Sequence, residues 1–203
     1  EDVIKNERIL SPFSGINPTE NFYFRYPFLD YGNSVEQRDK ALEFLHKRSY
    51  IVAPVTIDAK DYIFDLLYTD AWQRDDEGTM QYIICLYLSH LHSVIEFRGH
   101  QAIHFFGKPL SQIMLIHANR INSDCLDKVI TFVQQQGNEF VPLHEVLQEP
   151  IYQSGSAVIN RGQFLSWKSK TSDGTLLQVA YPNVDPTILE HYESIRQKNH
   201  QLI

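Results

Sequence analysis

Cysteine is nearly absent from this 203-residue chain: only Cys85 and Cys125 occur, without C-x-x-C spacing. That excludes a thiolate metal knuckle and a disulfide framework. Both fall inside helical patterns, so the expectation is two buried free thiols. Basic charge is also short, with 18 Lys and Arg against 25 Asp and Glu and a net charge of −7. The nine histidines offset little of this near neutral pH, and the balance argues against nucleic acid or an anionic membrane as partner. No apolar run approaches the roughly 18 residues of a membrane span. There is no Gly-rich phosphate loop, no internal repeat and no G-x-S-x-G elbow; Ser154-Gly155-Ser156 lacks both the elbow sequence and a preceding strand. What remains, 43% hydrophobic and 21% charged, is the composition of a globular protein with a real core.

Hydrophobic patterning predicts the following order. Residues 1–10 read as the end of a charged helix offering Val3, Ile4 and Leu10 for packing, closed by Pro12 and Gly15. Phe22 to Arg25 is a short aromatic strand. Ser34, with Gln37 as capping-box partner, opens a helix to about Ser49 that buries Val35, Leu42 and Leu45. Ile51 to Ile57 is a strand made irregular by Pro54. Two helices follow, Tyr62 to Gln73 and Thr79 to Phe105, separated by a solvated turn containing Asp75-Asp76-Glu77. Gln112 to Ile116 is a strand, and Ser123 caps a helix to Gln136 with Gly137 just past its end. Glu139 to Val141 reads as a last strand before a helical turn from Pro142 to Leu147. Beyond residue 150 the pattern turns loop-rich around Ser154-Gly155-Ser156 and Arg161-Gly162. Asp185-Pro186 then opens a helix with Ile188, Leu189, Tyr192 and Ile195 as its buried stripe. Periodicity alone allows an open doubly wound sheet of four or five strands as well as a barrel.

Three polar clusters each stand at the end of a strand-like run. They are Phe24-Arg25-Tyr26-Pro27-Phe28-Leu29-Asp30-Tyr31-Gly32, Asp58-Ala59-Lys60-Asp61-Tyr62 and Leu115-Ile116-His117. In parallel α/β folds such residues gather at the carboxyl ends of the strands, where active sites form. This order resembles the polysaccharide deacetylases of the NodB-homology type, carbohydrate esterase family 4. Arg25, Pro27, Phe28 and Gly32 match an Arg-x-Pro-Tyr…Gly motif. Asp58, Asp61 and Tyr62 match Asp-x-x-Asp-Trp, and Leu115 and His117 match Leu-x-His. Phe106-Gly107-Lys108-Pro109, the extension through Ala118-Asn119, and Phe140-Val141-Pro142-Leu143 are similar to one bacterial subgroup. Phe28 replaces Tyr and Tyr62 replaces Trp.

The resemblance implies an α/β fold: a distorted (β/α) barrel of the deacetylase type, incomplete at its N-terminal side. Residues 1–150 would be the C-terminal part of the domain and 151–203 an extension packed on it. The family's Asp-Asp motif and its paired histidines, which complete an Asp-His-His zinc site, normally precede the arginine motif. Here no histidine precedes Arg25, and the one Asp-Asp pair, Asp75-Asp76, lies far downstream. The chain also begins at Glu1. It therefore reads as the C-terminal two-thirds of a deacetylase domain, with no metal ligand of its own and inactive alone. The missing N-terminal segment is expected as a companion chain or fragment.

The complete protein would be a zinc-dependent, or other divalent-metal-dependent, hydrolase. It would remove N-acetyl groups from amino-sugar polymers or oligosaccharides in the periplasm or outside the cell. By resemblance, His117 is the general acid, held by Asp58 or Asp61, and Arg25 orients the base. The Phe28 backbone N–H joins the oxyanion site, while Pro27, Tyr62 and Leu115 shape the substrate pocket. The alternative is a metal-less relative that only binds carbohydrate or a partner. His100-x-x-x-His104 has metal-pair spacing but sits on the wrong segment for the family. His90-x-His92 diverges on a helix, and His144, His191 and His200 read as surface or helix-end residues.

Overall fold

Helix starts in this chain are written by short polar side chains. In the computed structural model, which describes residues 1–10, 22–153 and 181–200, α1 spans Asp2–Leu10, β1 Phe22–Phe24 and α2 Val35–His46. The Ser34 hydroxyl accepts from the Gln37 N–H at 3.2 Å. The reciprocal bond differs from an ordinary capping box, because Gln37 Oε1 accepts from Asn33 N–H at 3.0 Å, one residue early. Only Leu45 of the three expected residues is fully buried; Leu42 is half-buried and Val35 exposed. Ser34→Ala should cost about 1 kcal/mol, read as a lower urea midpoint at unchanged m-value. Glu7 reaches back from α1 to the turn after α2, where it pairs with Arg48 at 2.8 Å.

The run from residue 50 to 58 is one extended segment in two pieces. β2 (Tyr50–Val52) pairs in parallel with β1, and β3 (Ile57–Asp58) pairs in parallel with β4 (Met114–Leu115). Pro54 lies between the pieces, and Thr56 replaces the regular ladder there. Its hydroxyl accepts from Ile113 N–H at 2.7 Å, while Thr56 N–H and Ile57 N–H both donate to the Ile113 carbonyl at 3.0 and 3.1 Å.

The expected (β/α) barrel is not formed. Among the described residues the strands make two separate two-stranded parallel sheets, and the molecule is mostly helical. Two physical reasons account for this. Strands two or three residues long cannot carry the tilt and stagger that close a barrel. The interval between β3 and β4 is filled by two consecutive helices with no strand, α3 (Asp61–Gln73) and α4 (Glu77–Phe106). Glu139 to Val141 also fails as a strand; it forms no ladder among the described residues and exposes Phe140 and Val141.

Helix α4 is 30 residues long, about 45 Å. Asp76 caps it, accepting from Thr79 N–H at 3.0 Å and from the Thr79 hydroxyl at 2.7 Å. These bonds hold the Asp76 carboxyl below its ordinary range. Gly107, at φ +69, closes the helix. α5 (Arg120–Gln135) is capped by Asn119, not Ser123: its side chain accepts from Asn122 N–H at 3.1 Å, and Ser123 falls inside the first turn. Short helices α6 (Leu143–Val146) and α7 (Pro150–Gln153) follow.

In the last helix, α8 (Pro186–His200), Asp185 accepts from Thr187 N–H at 2.8 Å in the capping position. Ile195 of α8 is buried against α3 and α4 with Phe64, Leu67, Tyr87, Leu91 and Val94, while Ile188, Leu189 and Tyr192 are partly buried on the same core. Cys125 lies inside it, and burial pushes its thiol up to about 11; Cys85, expected buried, is exposed. No helix among the described residues is long and apolar enough to cross a membrane. Pro12, Gly15, the Ser154-Gly155-Ser156 and Arg161-Gly162 punctuation and the His200 side chain lie outside the described residues.

Candidate active site

Register decides which polar residues meet. Because Asp58 pairs with Leu115 in a parallel ladder, the chain leaves β3 and β4 at the same end. Asp61 then opens α3 three residues past Asp58, and His117 follows two residues past Leu115. The two side chains meet: His117 Nδ1 lies 2.6 Å from Asp61 Oδ1, and His117 N–H donates to Asp61 Oδ2 at 2.8 Å. Of the two carboxylates that the sequence left open, Asp61 is the one on the imidazole. It is only 1% exposed. Asn122 Nδ2 also donates to Oδ2, at 2.6 Å, and Asn119 Nδ2 lies 3.4 Å away. Each of these groups can donate to Asp61, the complement of a carboxylate. The His117 side chain is 36% exposed, so the imidazole has one nitrogen in the buried network and an edge toward solvent. Tyr62, 44% exposed, stands edge-on to the His117 ring at 6.3 Å and to Tyr192 at 6.2 Å. Burial raises its phenol pKa.

Asp58 does something else. Its Oδ1 accepts from Lys60 N–H at 3.0 Å, and its Oδ2 meets Lys60 Nζ at 2.5 Å. Lys60 takes the left-handed conformation, φ +55, to make this fold-back. Burial works against the Lys60 charge, but the Asp58 carboxylate outweighs it and raises the pKa. Tyr181 donates its hydroxyl to the Asp58 carbonyl at 2.7 Å, which ties the segment before α8 to the site.

Arg25 follows β1. Phe24 pairs with Val52, so Arg25 stands level with Ala53, well short of Asp58. Its Nη1 reaches the Tyr26 carbonyl at 3.4 Å, and no described carboxylate pairs with it. The first motif approaches the site through Leu29, which packs with Val55 and Leu115. To do so the chain turns through Pro27–Leu29, with Phe28 at φ +56 and Leu29 at φ +52. Two successive left-handed residues without glycine hold of order 1–2 kcal/mol of strain each. Phe28 itself is 80% exposed and Pro27 is exposed. Leu115 is buried under this turn rather than lining an open pocket.

The described residues do not fit zinc. Both oxygens of Asp61 and both of Asp58 are taken by donors. His100 and His104 are exposed, and no group of three metal-ligating side chains gathers among the described residues.

Sequence reasoning missed Asn122, Asn119, Lys60 and Tyr87. One signal was present: Asn122 falls on the apolar stripe Ile121, Cys125, Val129 and Val133 of α5, all buried. A polar residue on such a stripe needs a buried partner.

A buried histidine, His90, lies near Asp58. His90 on α4 packs on Phe64 with ring centroids 5.8 Å apart, and its Nε2 has no hydrogen-bond partner among the described residues. Burial lowers its pKa; Asp58 opposes this, and Lys60 adds to it. In the unfolded chain the imidazole titrates near about 6.5, so below that pH the unfolded state binds more protons than the folded one. Stability is then fully present above about 6.5 and falls as pH drops through that value toward the lowered folded one. Urea midpoints should decrease over that window, and His90→Phe should flatten the decrease. An unchanged slope in the variant would mean that His90 is not held neutral. No protein-family model matches the chain, and no curated protein or solved structure is significantly similar to it.

Proposed function

We propose that this chain carries the proton-donating half of a deacetylase site that removes N-acetyl groups from amino-sugar polymers or oligosaccharides. The observation that supports the reading is the His117–Asp61 pair at the shared end of two parallel strands. Asp61 accepts the Nδ1–H, which leaves Nε2 to work on a substrate. Breaking the amide C–N bond expels an amine, and protonation by His117 Nε2 makes that amine a competent leaving group. The proton passes from imidazolium to nitrogen as the bond electrons go to the amine, and acetate is the other product once water has added to the carbonyl. Tyr62 and Tyr192 form an aromatic wall suited to a sugar face. The activated water and its base are supplied by residues other than those described, and such a substrate belongs to the periplasm or the cell exterior.

A second reading, carbohydrate binding without hydrolysis, is favoured by Asp58, whose oxygens are occupied by Lys60. The deciding experiment offers N-acetylglucosamine oligomers and zinc to the complete gene product and to the isolated 203-residue chain. The hydrolytic reading expects acetate from the first and none from the second. Oligomer binding without acetate from either supports the second reading. Zinc-dependent release by the isolated chain would overturn the division of the site and return His100 and His104 to consideration as ligands.

A further inference from the structure

Asp61 is fully buried, and the group that holds it in place comes from α5. Asn122 Nδ2 donates to Asp61 Oδ2 at 2.6 Å and to the His117 carbonyl at 3.0 Å, so one amide spans both members of the pair. Its other end is engaged as well: the Tyr87 hydroxyl on α4 lies 3.3 Å from Asn122 Oδ1. All three side chains are buried, and burial raises the Tyr87 pKa, which keeps its hydroxyl a donor.

This arrangement settles which way the amide points. An asparagine presents an oxygen and a nitrogen of nearly equal shape, and its partners decide the orientation. The carboxylate and the His117 carbonyl only accept, so the NH₂ must face them, and the phenol donates to the oxygen that remains. The flipped amide would set carbonyl oxygen against carboxylate oxygen and leave two buried donors without acceptors.

We propose that Asn122, locked by Tyr87, is a positioning residue that holds the Asp61 carboxylate in the one orientation that keeps the His117 proton on Nδ1. The relay runs Tyr87, Asn122, Asp61, His117 and draws on three helices, α3, α4 and α5, and the segment following β4. Oδ2 is pinned by Asn122 and the His117 N–H, which leaves Oδ1 as the acceptor for the ring. Without Asn122 the carboxylate rotates about its last torsion, Oδ1 swings off the ring plane, and the imidazole no longer prefers the Nδ1–H tautomer. Nε2 then carries the proton in the neutral ring, and the poised form is diluted. Hydrogen-bond partners behind metal-bound histidines orient the ring in the same way, and their loss costs about 10–100-fold; a loss of that order is expected here.

The proposal rests on the reading of His117 as proton donor only for its kinetic consequence; the tautomer itself is read without activity. The test is the ¹⁵N spectrum of histidine-labelled 203-residue chain near neutral pH, with the His117 signals assigned by their disappearance in His117→Ala. Wild type should show His117 in one dominant Nδ1–H form. Asn122→Ala should give a mixture with the Nε2–H form. Tyr87→Phe, which removes a single oxygen and leaves Asn122 Oδ1 without its donor, loosens the amide and should shift the balance the same way but less. Should Asn122→Ala fail to fold, Tyr87→Phe carries the test alone. In the active gene product both variants should lower kcat with KM little changed.

A wild-type tautomer pattern in every folded variant would overturn the proposal, whatever happens to stability. If the tautomer shifts but neither the complete gene product nor the isolated chain releases acetate, the positioning role stands and the deacetylase reading fails.

Discussion

His117→Ala is expected to lower kcat for acetate release by about 10²–10⁴-fold, the range for loss of a positioned general acid. KM for N-acetylglucosamine oligomers should move far less. Protonation of the leaving nitrogen matters only as the C–N bond breaks, so the missing interaction belongs to the transition state and not to the bound substrate. The fold should survive. His117 is partly exposed, and its backbone N–H, which the substitution keeps, still donates to Asp61 Oδ2. Steady-state kinetics on the complete gene product with zinc checks this. A raised KM at unchanged kcat would make His117 a contact for sugar and favour the binding-only reading. Arg25→Ala should do less, because Arg25 touches neither member of the pair and its side chain bonds, among the described residues, to its neighbour's carbonyl.

Asp61→Ala should cost about 3–5 kcal/mol of stability. Three donors aim at its oxygens from within 2.8 Å: the His117 ring, the His117 backbone N–H and Asn122 Nδ2. A buried donor left without an acceptor costs about 1–3 kcal/mol. Water entering the space left by the carboxylate would satisfy some of them, which holds the total below the simple sum. Asp61→Asn keeps the shape but turns an NH₂ toward donors, so it should lose nearly as much despite being almost isosteric. Urea denaturation at neutral pH measures both, and the larger stability loss relative to His117→Ala separates the buried carboxylate from the half-exposed imidazole. A loss below about 1 kcal/mol for Asp61→Ala would mean that the hydrogen-bond network around it is not formed in solution.

Local chemistry is the legible part of this chain. Gly137 just past the end of α5, at φ +79, Asp185 at the start of α8 and the turn at Asp75-Asp76 each follow from one or two neighbouring residues, since a cap or a left-handed turn needs no distant partner. Sequence and structure part where the decision is not local. Val35 belongs inside by periodicity and is exposed, because periodicity marks a face without saying how far the covering element extends. Ser123 loses the capping role to Asn119, whose side chain accepts from Asn122 N–H and whose carbonyl takes the Ser123 N–H. Among the site residues, Asp58 and Asp61 are equivalent in sequence, two carboxylates at the end of the same apolar run. Only the register of β3 on β4, with α3 beginning at Asp61, sends one carboxylate to His117 and leaves the other to Lys60.

Sequence alone determined the helical segments, the irregularity at Pro54 and the ordered appearance of Arg25, Asp58, Asp61 and His117 at the ends of apolar runs. These depend on spacing and on side-chain chemistry within a few residues. Tertiary structure decided the architecture. Strand formation requires a partner at matching register, and the apolar runs at 51–57 and 112–116 found only two or three paired residues in each ladder. Helices α3, α4, α5 and α8 supplied the core that a barrel would have had to provide. Tertiary structure also decided the surroundings of Asp61, because a buried carboxylate is stable only where donors from distant segments converge. Asn122 lies 61 residues from Asp61 along the chain, a separation that no local pattern can bridge.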